Sequence, residues 1–121
     1  MSQAKLDAVP SVDIDEEGVF KYILIKVKPS NAEGPSKMIV RGYIRAHWHS
    51  DIFDEVSTSL QGLGLTAECV GGGRIEHRPS EKKLKVYGYS QGYGKADHDT
   101  TRSILQSKYS GYVIGISDDG Y

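Results

Sequence analysis

The sequence predicts a single α/β domain of about six strands and two helices, with one helix on each face of the sheet. Three observations carry this expectation. At 121 residues the chain is long enough for one core and too short for two. One stretch repeats apolar residues at helical spacing and a second is bounded by helix cap and stop residues, while the other apolar runs are short, β-rich and bounded by glycine or charged turns. Helical and strand segments are interspersed, and such chains bury their apolar surfaces by layering helices on a sheet.

Met1 to Ser11 reads as a mobile or loosely attached arm. Val19 to Val27 (VFKYILIKV) is apolar on both alternating faces, as expected of a central strand covered on both sides. Pro29 to Ser36, with Asn31, Gly34 and Pro35, is a surface loop. Met38 to Arg45 is a second strand, with Gly42 marking a close approach. Ile52, Val56, Leu60 and Leu63 then recur at helical spacing, and Gly62 and Gly64 stop that helix. Asp51, Asp54 and Glu55 suit the positive end of its dipole. Leu65 to Val70, Arg74 to His77 and Lys83 to Tyr87 read as three strands. A second helix runs from about Asp99 to Tyr109, capped by Asp97, Asp99 or Thr100 and ended by Gly111. Tyr112 to Ser117 is the last strand.

Composition narrows the function. The net charge of −1 exerts no general pull toward nucleic acid or membrane. The first eighteen residues carry one Lys and five acids, so the remainder is net positive and can hold an anion site. A single cysteine, Cys69, excludes an internal disulfide. Apolar runs are far shorter than the roughly 20 residues of a membrane span. No signal-peptide pattern opens the chain, so the cytoplasm is the expected compartment.

Three stretches place glycine or polar turns beside a strand or helix: Ala46-His47-Trp48-His49-Ser50-Asp51, Gly71-Gly72-Gly73-Arg74 and Tyr87-Gly88-Tyr89-Ser90-Gln91-Gly92-Tyr93-Gly94. His49 lies just ahead of a helix, where unpartnered amides and the dipole favour an anion and an imidazole suits general base work. Trp48 and Ser50 flank it as candidate phosphate contacts. Ser90 and Gly92 lie in a turn able to form an anion nest, and Arg74 could offer its planar fork to phosphate oxygens. Lys21 and Arg41 are cations inside apolar strands, a costly choice without a partner. Each feature also has a plainer reading: a packed histidine, a flexible triple-glycine turn, two snorkelling side chains. His47 and His49 suggest a metal, but no further ligands stand at a recognised spacing.

Taken together, these stretches resemble the protein histidine phosphatases, the family that also holds the insect janus proteins. The resemblance runs through VPSVDIDEEGVFKYILIKV, IVRGY, HSDIFDEV, CVGGGRI and KLKVYGYSQGYG to DDGY. It implies a mixed six-stranded sheet between two helices. It also implies a small cytoplasmic, monomeric enzyme, independent of metals and cofactors, that hydrolyses phosphohistidine in proteins, with phospholysine and small phosphoramidates as secondary substrates. By motif, His49 matches the catalytic histidine, Lys21 the substrate-binding lysine, and Arg41 and Arg74 arginines around the site. Ser90 matches the phosphate-contacting serine, Gly92 stands where a small residue, often Ala, offers its amide, and His98 matches a supporting histidine. Two competing readings are a phosphopeptide-binding module without turnover and a metal-dependent phosphohydrolase built on His47 and His49.

Overall fold

The computed structural model describes residues 2–29 and 35–117. Most of the loop expected at Pro29 to Ser36, and the terminal DDGY, lie outside them. The central strand is β2 (Gly18–Pro29). Phe20, Tyr22 and Leu24 are buried on one face, and Ile23, Ile25 and Val27 on the other. It pairs antiparallel with β3 (Lys37–Gly42) on one side and β4 (Leu65–Arg78) on the other. Outside β3 lies β1 (Val12–Ile14), parallel to it; outside β4 come β5 (Lys83–Tyr87), antiparallel, and β6 (Val113–Ile116), parallel to β5. The sheet is therefore mixed, six-stranded and open, in the order β1-β3-β2-β4-β5-β6.

Numbering the helices along the chain, α1 is Ser2–Ala8, α2 is His49–Gln61 and α3 is His98–Lys108. Helix α2 lays Ile52, Val56 and Leu60 on Ile23, Ile25 and Ile39. Helix α3 buries Leu105 on the opposite face with Tyr22, Leu24, Ile75 and Val86. Asp97 caps α3 by accepting from the amides of Asp99 and Thr100. Among the described residues no helix is long and apolar enough to cross a membrane.

The strand count agrees with expectation through two differences that cancel. Strand β1 is too short to show a periodicity, and it exists because β3 offers it a parallel edge. Conversely, the two strands expected at Leu65 to Val70 and Arg74 to His77 are one strand running straight through the glycines. Leu24 faces Gly71 while Ile25 faces Cys69, so Val70 is the extra residue of a β-bulge. Gly71 has φ +142°, and a Cβ there would stand 2.6 Å from the Ala96 backbone. The extra residue reverses the alternation. Cys69, packed toward α2, and Arg74, five positions on, thereby reach the same face.

The arm expected at residues 1–11 is a correction. Within it Ser2–Ala8 form α1, whose Leu6 is 1% exposed and packs with Val9 into the core beneath α2. Lys37 Nζ donates to the carbonyls of Leu6, at 3.0 Å, and Val9, a favourable place for a cation at a helix C-terminus. A short helix with one buried leucine carries too little periodicity to be seen in sequence. β3 also ends at Gly42 and not Arg45, because the chain leaves the sheet where the Ile44 amide bonds the Asp15 carboxylate at 2.6 Å.

Replacing Leu6 with Ala is expected to destabilise the protein by about 2–5 kcal/mol, the range for emptying a buried leucine site. Urea unfolding measures this; an unattached arm would give a change near zero.

Candidate active site

The site begins where α2 begins. The Trp48 amide donates to Asp51 Oδ2 at 3.0 Å, which fixes the helix entrance and makes His49 its first helical residue. The His49 side chain turns inward and is 6% exposed. Its Nε2 lies 2.9 Å from the Gly73 carbonyl oxygen. A carbonyl can only accept, so Nε2 carries the proton and the neutral ring keeps its lone pair on Nδ1. The ring rests on bare backbone: a Cβ on Gly72 would stand 2.8 Å from His49 Cδ2 and 3.1 Å from Ser90 Cβ.

Beside the ring lie two cations. Lys21 on β2 and Arg74 on β4 are direct cross-strand partners, projecting from the same face. Like charges placed opposite each other destabilise a strand pair, and an anion between them reverses the sign. Both border an open cleft of about 830 Å3, together with His49 and the turn after β5. In that turn the Ser90 amide donates to Gly94 O and the Gly94 amide to Ser90 O. Gly94 O also accepts from the Gly72 amide, which fastens the turn to the glycine segment of β4. Ser90 Oγ accepts from the Tyr93 amide at 3.2 Å, which leaves its own proton to donate. The amides of Gln91 and Gly92 bond no acceptor among the described residues. A Cβ on Gly92 would meet nothing within 4 Å, so the glycine is not sterically required there.

His98 stands on the other side of the sheet and outside the cleft. Its Nε2 donates to Gly88 O at 2.9 Å, so Nδ1 accepts from the Tyr22 hydroxyl at 2.7 Å. Tyr22 in turn accepts from Thr101 Oγ1 at 3.0 Å. The His98 ring would meet a Cβ on Gly73 at 2.9 Å. It therefore touches the residue that holds His49, from behind, and ties down the approach to the Ser90 turn.

Of the sequence-predicted residues, the cleft gathers Lys21, Trp48, His49, Ser50, Arg74, Ser90 and Gly92. Trp48 is exposed at the rim, and Ser50 is exposed on the first turn of α2. Arg41 does not line the cleft. Its guanidinium donates to the carbonyls of Val40 and Pro10 at 2.9 and 2.8 Å, buried under the segment that joins α1 to β1. It is one strand further from β4 than Lys21, and it serves the fold. His47 is exposed while His49 is buried, so the pair shares no face. Among the described residues no group of three or more His, Cys, Asp or Glu could hold a metal ion. Sequence reasoning missed the Gly73 carbonyl, and missed Tyr89, Gln91 and Tyr93 as cleft walls. Three glycines inside a strand that continues past them is the signal that could have exposed the first.

Burial, first of all, holds the His49 imidazole below its ordinary value near 6.5, and Lys21 and Arg74 push the same way against the Gly73 bond. The ring therefore stays neutral to lower pH than a free imidazole. NMR titration of His49 is expected to show a midpoint below 6.5. Lys21→Gln and Arg74→Gln should each raise it part of the way, leaving the share due to burial. Arg41→Gln should leave the midpoint in place and lower the melting temperature instead.

The Janus/Ocnus family model matches residues 6–113. Sex-regulated protein janus-A of Drosophila pseudoobscura pseudoobscura is 54% identical over 124 residues, which cover 100% of this chain and 83% of that protein. Sex-regulated protein janus-A of Drosophila melanogaster is 53% identical over 121 residues, 100% of this chain and 88% of that one. The 14 kDa phosphohistidine phosphatase of Sus scrofa is 48% identical over 122 residues, 98% of this chain and 97% of the relative. With a family match over nearly the whole length and relatives of this closeness, the chain belongs to the Janus/Ocnus family.

Proposed function

We propose that this protein is a phosphohistidine phosphatase, acting in the cytoplasm as a monomer on proteins that carry phosphohistidine. The observation that carries the proposal is a neutral imidazole, oriented by the Gly73 carbonyl, beside the Lys21–Arg74 pair and the unbonded amides of the Ser90 turn. The 48% identity to a phosphohistidine phosphatase supports it. Phospholysine and small phosphoramidates are secondary substrates in this proposal.

The phosphoryl oxygens are received by the amides of Gln91 and Gly92, the Ser90 hydroxyl and the two cations. Such fixed donors in a partly dry cleft favour the charge that develops at phosphorus. His49 Nδ1 takes the proton of a water attacking in line, and the departing imidazole nitrogen takes its proton from solvent. In a second route Nδ1 attacks phosphorus itself, the substrate imidazole leaves, and water then hydrolyses the phosphorylated enzyme. Rapid quench with labelled substrate separates the two, because direct attack alone places label on His49. The residues of this chain suffice for either route without a metal.

The test is hydrolysis of a phosphohistidine peptide beside phosphoserine and phosphotyrosine controls, with and without chelator. Turnover of the first alone, unchanged by chelator, is expected; loss after chelation, restored by zinc or magnesium, would support a metal-dependent enzyme. His49→Ala should abolish turnover while circular dichroism and melting temperature stay near wild type. Tight peptide binding without turnover in the wild type would instead identify a phosphopeptide-binding module.

Arg74→Ala is expected to lower kcat/KM by about 2–4 kcal/mol of transition-state stabilisation. Arg74→Lys should restore little, since an ammonium cannot reproduce a two-pronged contact. Unaltered kinetics in either variant would place Arg74 outside the machinery.

A further inference from the structure

Lys21 and Arg74 border two cavities. One is the cleft above; the other is a smaller pocket of about 120 Å3, lined by Val19, Phe20 and Lys21 of β2, by Ile44 and Ala46, and by Arg74. The two cavities share the cation pair, so a group docked in the smaller one lies beside whatever occupies the larger. Beside that pair, Val19, Ile44 and Ala46 bring apolar side chains to the small pocket, whose open surface is otherwise mostly polar.

Two of its walls are among the most exposed large hydrophobic residues described. Val19 is 49% exposed and Ile44 57%. Single apolar residues on a surface need no explanation. Here they are paired beside a charged site, and the cleft rim next to them carries exposed Trp48 and Tyr89. Nor is Ile44 loosely held. Its amide bonds Asp15 Oδ2 at 2.6 Å, and its side chain packs over Gly18, where a Cβ would meet Ile44 Cδ1 at 2.9 Å. Gly18 has φ +121°, a backbone conformation that other residues rarely adopt. The pocket wall is preformed.

We infer that the Val19–Ile44 pocket is a subsite for an aliphatic side chain of the substrate polypeptide, within two residues of its phosphohistidine. The inference rests on the phosphatase reading and names the substrate class more closely: a protein segment with an apolar neighbour beside the modified histidine. The charge pattern selects this occupant. The phosphoryl group neutralises Lys21 and Arg74, and the segment that carries it must then pass the exposed apolar side chains of Val19 and Ile44. Spacing agrees. Val19 and Lys21 are alternate residues on one face of β2, roughly 7 Å apart, and alternate side chains of an extended peptide have the same separation. A free phosphoramidate has no side chain to place in the pocket and leaves it empty.

Peptides carrying a non-hydrolysable phosphoryl-triazole analogue of phosphohistidine, with leucine or glycine placed one or two residues to either side, are titrated calorimetrically. The phosphohistidine versions are assayed for hydrolysis in parallel. The best leucine peptide is expected to bind about 10-fold more tightly than the all-glycine one, about 1.4 kcal/mol. Ile44→Ser should bring that ratio near one, and Val19→Thr should reduce it independently, with folding checked by circular dichroism. Equal affinity of all peptides for the wild type, or an unchanged ratio in both variants, overturns the subsite. Preference in binding with no hydrolysis of any peptide overturns the phosphatase reading and leaves the subsite standing.

Discussion

The hydrogen bond from His49 Nε2 to the Gly73 carbonyl is the constraint on which the site depends, and the backbone around it is shaped to permit that bond. An imidazole can lie on a strand in the middle of a sheet only where the strand has no side chain. Gly72 supplies that gap on the α2 face, and Gly73 supplies another on the opposite face, where a Cβ would collide with Tyr87 O at 2.4 Å and with His98 at 2.9 Å. The same segment carries the bulge and the Gly72 amide bond to the Ser90 turn. Three glycines thus seat a base, back it with a second ring and anchor an anion loop within one short stretch of β4. Their conformational freedom in the unfolded chain is costly, and the close contacts explain why alanine cannot serve in their place.

Both histidines hold one tautomer by the same device: each donates Nε2–H to a backbone carbonyl, of Gly73 or Gly88. They differ in what meets Nδ1. For His98 it is the Tyr22 hydroxyl, itself supported by Thr101, so the ring is fully engaged and structural. For His49 no protein donor among the described residues bonds that atom, and the ring borders the cleft. One ring is bonded at both nitrogens and the other at Nε2 alone among the described residues, and the difference lies in a single hydrogen-bond partner rather than in the residue type.

The central strand, both long helices, the Asp97 cap, the Gly62 stop and most residues that line the cleft were legible in the sequence, because each rests on a local signal. Ile52, Val56 and Leu60 mark a helix face by spacing, and Asp97 marks a helix start by its chemistry. What was not legible depends on partners far along the chain. The glycines of β4 look like a turn, and Tyr22, Ile23 and Leu24 on one side, with Gly94 and Ala96 on the other, keep that segment extended. Arg41 and Lys21 look alike as cations in apolar strands. The carbonyls of Pro10 and Val40 claim one, and nothing in the local pattern announces that. Leu6 is an isolated apolar residue until the core beneath α2 receives it. The bulge at Val70 reverses the side-chain alternation, so a period-two reading carried across it assigns Arg74 to the wrong face.

The site's electrostatics work against the fold, in a direction that follows from His49. Its folded-state pKa is lowered, so the folded chain binds fewer protons than the unfolded chain as pH falls past 6.5. Stability is therefore greatest, for this group, above 6.5; it declines through the window down to the folded value and is level below it. The Lys21–Arg74 pair adds cross-strand repulsion. A bound phosphoryl dianion opposes both effects, drawing the cations together and restoring the affinity of His49 for a proton. The free protein thus keeps the His49 imidazole neutral by burial and positive neighbours, and a bound phosphoryl anion would make the same ring more basic. That sequence suits a group that must first lack a proton and then accept one.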